Sequence, residues 1–379
     1  MASESSSYTL YGTEFSLYTG KARAYLRYKG LPFRERLSTL RVYKRVIVPN
    51  TGVAFVPVVE TPQGQFIQDT TEIIDYIESR EPAPAVYPPT PRQRLTALLL
   101  ELYADEWLLI PAMHYRWNFP RENEKFLMAE FGRVALPHAP AFIRRLVARR
   151  NAARFAAMLP SLGIQPETIP AIEQSYEALL DDLETHFSQH RYALGDRASL
   201  ADFGLIAPFY AHLYRDPFPG ALMRRRAPAV ARWVERMFEY NPPHGQWMDN
   251  DAIPETLLPI LRRQFTEHFP VLRDTVAAVA SWVQAHPGQR LPRRIGDHRF
   301  VLNDTESERA LMPYPQWMLQ RPLDYYAELE STDRTSVDSL LRETGGIEAM
   351  SLRVPVRLRR ENNRLWPEPS SSEGTLSDA

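Results

Sequence analysis

Over the first eighty residues the apolar positions fall in short runs, and over most of the remainder they recur at helical spacing. Residues 8–12 (YTLYG) form a β-rich run ending in glycine. Residues 16–30 follow with Ala22, Tyr25, Leu26 and Lys29 on one helix face and Gly30 as a stop. The pattern predicts a second short strand at 33–37 (FRERL) and then a basic stretch, 39–52, that reads as helix or loop. Residues 55–60 (FVPVVE) and 65–68 (QFIQ) flank a TPQG turn, which is a hairpin signal. Residues 69–81 predict an amphipathic helix with Asp69 as N-cap and Ile73, Ile74 and Ile77 on one face. The order β-α-β-α-β-β-α describes a small α/β domain.

Five prolines in 82–91 forbid helix or central strand there, so this stretch reads as an extended linker. From 92 to about 290 the pattern is helical, with spans at 92–118, 121–133, 139–159, 167–190, 199–214, 226–240 and 254–286. From 293 to 366 it weakens, although 351–359 (SLRVPVRLR) alternates with period two and predicts an edge strand despite Pro355. The polar, small-residue end predicts disorder. The predicted layout is an α/β domain at 1–81, a linker at 82–91, an all-helical domain at 92–290, a C-terminal extension at 291–366 and a disordered tail at 367–379.

Composition changes the picture in three places. With 379 residues, 44% of them hydrophobic, the chain can bury a core for two or three packed units, which excludes disorder throughout. A net charge of -1 leaves no excess of cations to neutralise phosphates, so nucleic acid is not an expected partner. The absence of cysteine excludes a disulfide, a thiolate nucleophile, a redox CxxC pair and any thiolate-bound metal. Thiol chemistry would have to borrow its sulfur. The start, MASESSSYTL, lacks the charged and apolar regions of a signal peptide, and no run of eighteen apolar residues occurs. The expectation is a cytoplasmic protein with no membrane partner.

Three local motifs narrow the field. They are SLYTGKAR at 16–23 followed by KGLPF at 29–33, VP at 56–57 followed by QDTTEIIDYIE at 68–78, and GDRASLADF at 195–203. In this order and spacing they resemble the glutathione transferase superfamily over roughly residues 8–240. The resemblance implies an α/β thioredoxin-like N-terminal domain followed by a larger all-α helical-bundle domain, here with a C-terminal extension. It also implies glutathione as co-substrate, an electrophilic small molecule as the second substrate, and a homodimer.

The chemistry of such a reaction starts from a thiol with a pKa of about 8.5, mostly protonated at neutral pH. A hydroxyl that hydrogen-bonds the sulfur favours the thiolate. Ser16 matches the position where serine-type members keep that hydroxyl, and it stands at a helix N-terminus, which favours an anion. The alternative is that it is only the cap of the first helix, and the two readings are compatible in part. Tyr11 and Tyr18 are alternative hydroxyls near the same loop. Leu17 departs from the proline that often follows the reactive residue in the family. With no cysteine in the loop, the subclasses that form a mixed disulfide on the protein are closed.

Val56 and Pro57 match the family's cis-proline, where the backbone of the preceding residue pairs with the cysteinyl part of glutathione. Asp69 and Thr70 match the pair that holds its γ-glutamyl end through a charge-assisted bond to the ammonium and helix N-terminal amides to the carboxylate. Both could instead only cap and open the helix. The glycyl carboxylate needs a cation, for which Arg41, Lys44 and Arg45 are candidates. Ser199 and Asp202 form a capping box, a structural feature. Tyr103, Trp107 and His114 fall near one helix face, with Pro111 predicted to kink the helix between them, and are the expected lining of the co-substrate pocket; plain core is the bland alternative. His186 and His190 at i, i+4 lack a third ligand and read as an exposed polar face, so no metal is expected. No G-x-S-x-G elbow supports a hydrolase. The leading expectation is a glutathione transferase-like enzyme that activates the thiol with Ser16. The alternative is the same fold kept as a non-catalytic binding or scaffolding protein.

Overall fold

The computed structural model describes residues 7–239 and 245–369. The chain opens with β1 (Tyr8–Gly12), α1 (Leu17–Tyr28) and β2 (Phe33–Leu37). The basic stretch is helical, running from α2 (Leu40–Val42) through a π-helical turn at Tyr43–Ile47 into α3 (Val48–Thr51). The hairpin of β3 (Val58–Glu60) and β4 (Phe66–Gln68) leads into α4 (Thr70–Glu78). The strands lie in the order β2-β1-β3-β4, with β1 parallel to β2 and antiparallel to β3. Both faces are covered. Leu10 and Val59 pack against Ala22, Tyr25 and Leu26 of α1 and the three isoleucines of α4, while Tyr11 and Val58 turn to Val42 and Ile47.

The helical domain contains α5 (Pro91–Glu106), α6 (Leu109–Trp117), α7 (Pro120–Ala135), α8 (Ala141–Ala156), α9 (Ile169–Gln189), α10 (Leu200–Pro208), α11 (Pro217–Arg226), α12 (Pro228–Phe238), α13 (Leu258–Arg263) and α14 (Phe269–Ala285). Every residue of α10 is buried. It lies so close to α5 that a Cβ on Gly204 would stand 2.7 Å from the Glu101 Cα. Asp202 reaches back to the Ser199 N–H at 2.9 Å and also accepts from the Ala193 N–H and the Trp233 indole. No helix among the described residues is long and apolar enough to cross a membrane.

Four expectations are corrected. The span 92–118 is two helices, broken at Trp107–Leu108; Pro111 falls in the first turn of α6, where its missing N–H costs no bond, so the break precedes it. The span 226–240 is preceded by α11, and its own helix ends at Phe238; residue 240 lies outside the described residues. The alternating stretch 351–359 is strand only from Leu358, because the pairing is set by two tight hairpins elsewhere. These are β5 (Gly296–Leu302) with β6 (Thr305–Leu311), and β7 (Leu358–Glu361) with β8 (Arg364–Pro367). Their turns, Asn303–Asp304 and Asn362–Asn363, hold positive φ at both central residues, the conformation that matches the strand twist. Lastly, Pro367 belongs to β8; of the tail expected to be disordered, 370–379 lies outside the described residues. Between the hairpins stand α15 (Tyr314–Ala327) and α16 (Ser331–Thr344).

This C-terminal part folds back onto the first domain. Arg321 of α15 pairs with Asp75 of α4 at 2.5 Å and donates to Tyr87 of the proline-rich stretch. Arg360 of β7 pairs with Glu72 at 2.7 Å, and Arg364 of β8 donates to the Gly52 carbonyl.

Candidate functional site

A cavity of about 580 Å³ opens where the two domains and the C-terminal part meet. Its size suits a small-molecule ligand. One wall is apolar and aromatic, made by Leu109, Met113, Trp117, Phe131 and Phe155 among others. The first domain contributes the polar groups of Ser16, Tyr18, Gln68, Asp69 and Thr70, and the end of α5 adds Asp105 and Glu106.

Ser16 is the N-cap of α1, and its Oγ accepts from the Thr19 N–H at 3.3 Å. That bond uses a lone pair and leaves the hydroxyl proton free. The loop carrying Ser16 is fixed from below: Arg116 donates to the Phe15 carbonyl at 3.0 Å while its fork is held by Asp216 at 2.6 and 2.7 Å. Both of these charged side chains are fully buried, so the anchor is a desolvated, bidentate pair. Glu14 of the same loop accepts from the Tyr210 hydroxyl and pairs with Arg23.

Val56 and Pro57 line the cavity, and the bond between them is cis. Asp69 caps α4, accepting from the Thr71 N–H at 3.0 Å, with its φ at 91°. Its second oxygen accepts from the Tyr314 hydroxyl at 2.6 Å, a contact from α15 that spans 245 residues of sequence. Thr70 is buried beside it. Tyr18 also faces the cavity, but its hydroxyl is spent on the Asp105 carbonyl at 2.9 Å; burial, then Glu106, Asp105 and Asp69, hold its phenol well above the usual range.

Lys21 is fully buried, with Glu101 at 2.8 Å and Asp105 at 2.5 Å. Two carboxylates outweigh its burial and hold its ammonium charged. One cation thus serves two anions across the domain junction, and Glu106 adds a third acid, attracted by Arg309 of β6 but paired with it in no salt bridge among the described residues. Burial, reinforced by Asp105 and Asp69, pushes Glu106 up to about 8.

Four predicted site residues, Tyr11, Tyr103, Trp107 and His114, lie elsewhere. Tyr11 donates to Glu60 at 2.6 Å and packs on the far face of the sheet with Val42 and Ile47. Tyr103, Trp107 and His114, expected in the co-substrate pocket, face the core instead: the Trp107 indole donates to Glu267 at 3.2 Å and His114 meets Glu173 at 3.0 Å. The break at Trp107–Leu108 starts a new helix, whose cavity face is Leu109, Met113, Arg116 and Trp117. His186 is buried rather than exposed, bonded to Thr256, and burial lowers it to about 3. Its role is structural. Among the described residues no group of three acidic or imidazole side chains is placed to hold a metal.

The cations of the site come from a part of the chain that sequence reasoning did not connect to it. Arg41, Lys44 and Arg45 are exposed and stand outside the cavity wall, whereas Arg290, Arg293, Arg360 and Arg364 line it. Arg360 is 5% exposed and donates to the Gln68 Oε1 at 2.6 Å. Asn363 donates to the Thr51 carbonyl. The Arg360–Gln68 pairing spans 292 residues of sequence, which no local signal reports.

A thioredoxin-like sheet domain, a helical domain and a shared cavity at the first helix's N-terminus define a class of two-domain ligand-binding proteins. A family model of the glutathione S-transferase N-terminal domain matches residues 10–85, and one of the C-terminal domain matches residues 166–236. These two stretches, in the order of the family's two domains, are what the chain shares with the glutathione S-transferases. Similar solved structures include a glutathione S-transferase from Methylobacterium radiotolerans in complex with glutathione sulfonate. It is 20% identical, with 65% of this chain and 99% of that chain covered and a TM-score of 0.37. The beta-etherase LigF from Sphingobium sp. strain SYK-6 is 19% identical, over 61% and 94% of the two chains, with a TM-score of 0.43. FzlA from C. crescentus is 21% identical, over 61% and 90%, with a TM-score of 0.37. At such identities these likenesses say nothing of this chain's substrate. No curated protein matches the chain.

Proposed function

We propose that the protein is a glutathione transferase-like enzyme in which the Ser16 hydroxyl donates to the glutathione sulfur and holds it as thiolate for attack on an apolar electrophile. A single observation carries the reading: Ser16, Val56, Pro57, Asp69 and Thr70 line one cavity together with the apolar Leu109, Met113, Trp117, Phe131 and Phe155. Val56 offers its backbone to the cysteinyl part, and Asp69 takes the α-ammonium. The arginine rim at Arg290, Arg293 and Arg364 supplies positive charge for the glycyl carboxylate. The homodimer implied by the resemblance belongs to the same reading, and a mass by light scattering tests it.

Ser16→Ala is expected to lower kcat/KM by roughly 10- to 100-fold, to raise the pKa of the bound thiol, and to change glutathione affinity by no more than a few-fold. Turnover equal to that of the wild type would remove Ser16 as the activator. The second reading, a fold kept for binding or scaffolding, is favoured by Leu17 after Ser16 and by the Tyr314 hydroxyl already seated on Asp69. Calorimetry with millimolar glutathione separates the two: no heat of binding favours the second.

A further inference from the structure

Glu106 is the last residue of α5, and it stands against local rules. Asp105 and Glu106 put two acids in the final turn of a helix, where the dipole disfavours negative charge, and no basic residue accompanies them there. Asp105 is committed to Lys21. Glu106 is not committed: its neighbours act on it by charge alone, and none among the described residues gives it a hydrogen bond. It lines the cavity together with Ser16, Asp69 and the α6 residues Leu109 and Met113.

The groups around it favour the uncharged form. Asp105 on its own helix and Asp69 at the start of α4 repel a carboxylate there. Arg309 of β6 and Lys21 of α1 attract it, but by less than this repulsion, and Lys21 is already shared. The Tyr18 and Tyr314 phenols, which also face it, are held neutral. A carboxylic acid that keeps its proton near pH 7 inside an apolar-walled cavity is a proton donor.

We propose that Glu106 gives its proton to the leaving oxygen of an apolar epoxide or ether while the glutathione thiolate attacks the adjacent carbon. This rests on the transferase reading. The carbon–sulfur bond forms as the carbon–oxygen bond breaks, the electron pair goes to oxygen, and the Glu106 proton neutralises it. Solvent then returns a proton to the Glu106 carboxylate. An electrophile that expels chloride needs no such proton, so the residue selects for the oxygen class.

The test compares styrene oxide with 1-chloro-2,4-dinitrobenzene, both with glutathione. In the wild type, kcat/KM for styrene oxide should rise as the thiol ionises and fall again as pH passes about 8, where Glu106 loses its proton; the chloride should show only the rising limb. Glu106→Gln should abolish the falling limb and lower the ratio of epoxide to chloride turnover by about 100-fold. An unchanged ratio, or wild-type profiles of the same shape for both electrophiles, overturns the assignment and leaves the transferase reading standing. Turnover of the chloride but not of the epoxide does the same. If neither electrophile reacts, both readings fall. The wild-type pH comparison decides the matter even if the variant does not fold.

Discussion

Ser16 performs two tasks with one oxygen. Its lone pair satisfies the Thr19 N–H and starts α1, and its proton is left for a ligand. The usual role of a serine cap therefore does not compete with the proposed one, because the two use different parts of the hydroxyl. What keeps this residue in place is Arg116. Removing the guanidinium by Arg116→Ala leaves Asp216 buried without its partner, and the expected loss is about 3–5 kcal/mol in urea denaturation. Removing both side chains should cost less than removing Arg116 alone. A second effect at this scale concerns pH. Glu106 titrates at about 8 when folded against about 4.3 when unfolded, so between these values the folded state binds more protons and stability falls as pH rises. Glu106→Gln should flatten that decline when unfolding is followed at pH 5, 7 and 9.

At the scale of elements, α10 approaches α5 closely enough that their contact leaves no room for a side chain at Gly204. The atom a Gly204→Ala methyl would meet is a backbone Cα, which cannot swing away as a side-chain end can. Gly204→Ala should cost about 1–3 kcal/mol and lower the melting temperature by several degrees in calorimetry. The elements of the first domain were legible in the sequence because each is announced locally: a glycine stop after α1, a turn at 61–64, an aspartate before α4. The capping box did the same for α10. The break between α5 and α6 was not legible, since Tyr103, Trp107 and His114 read as one face of an unbroken helix, and only tertiary packing of Trp107 against Glu267 reveals otherwise. The two late hairpins did carry a signal, Asn-Asp and Asn-Asn, that the weak alternation around them hid. The acids at the end of α5 were not legible either, because a single helix over 92–118 puts them in its middle, and only the break at Trp107–Leu108 leaves them at a helix C-terminus.

At the scale of the whole molecule, the cavity belongs to three stretches of chain that are distant in sequence. Lys21 ties α1 to α5, and Arg321, Tyr314 and Arg360 tie the C-terminal part to the first domain. Under the transferase reading, Arg293→Ala and Arg364→Ala should each weaken glutathione binding by about three- to tenfold in calorimetry, the worth of one hydrogen bond. Unaltered affinity in both would detach this part of the chain from the ligand. The reach of these contacts also sets an order in time. A ribosome adding 5–20 residues per second arrives at Tyr314 and Arg360 roughly 12–60 s after Asp69 and Gln68. During that interval the nascent first domain has its sheet and its serine but neither the hydroxyl on Asp69 nor the arginines of the rim. The pocket is therefore a late product of synthesis, and a growing chain carries this cavity unfinished for that interval.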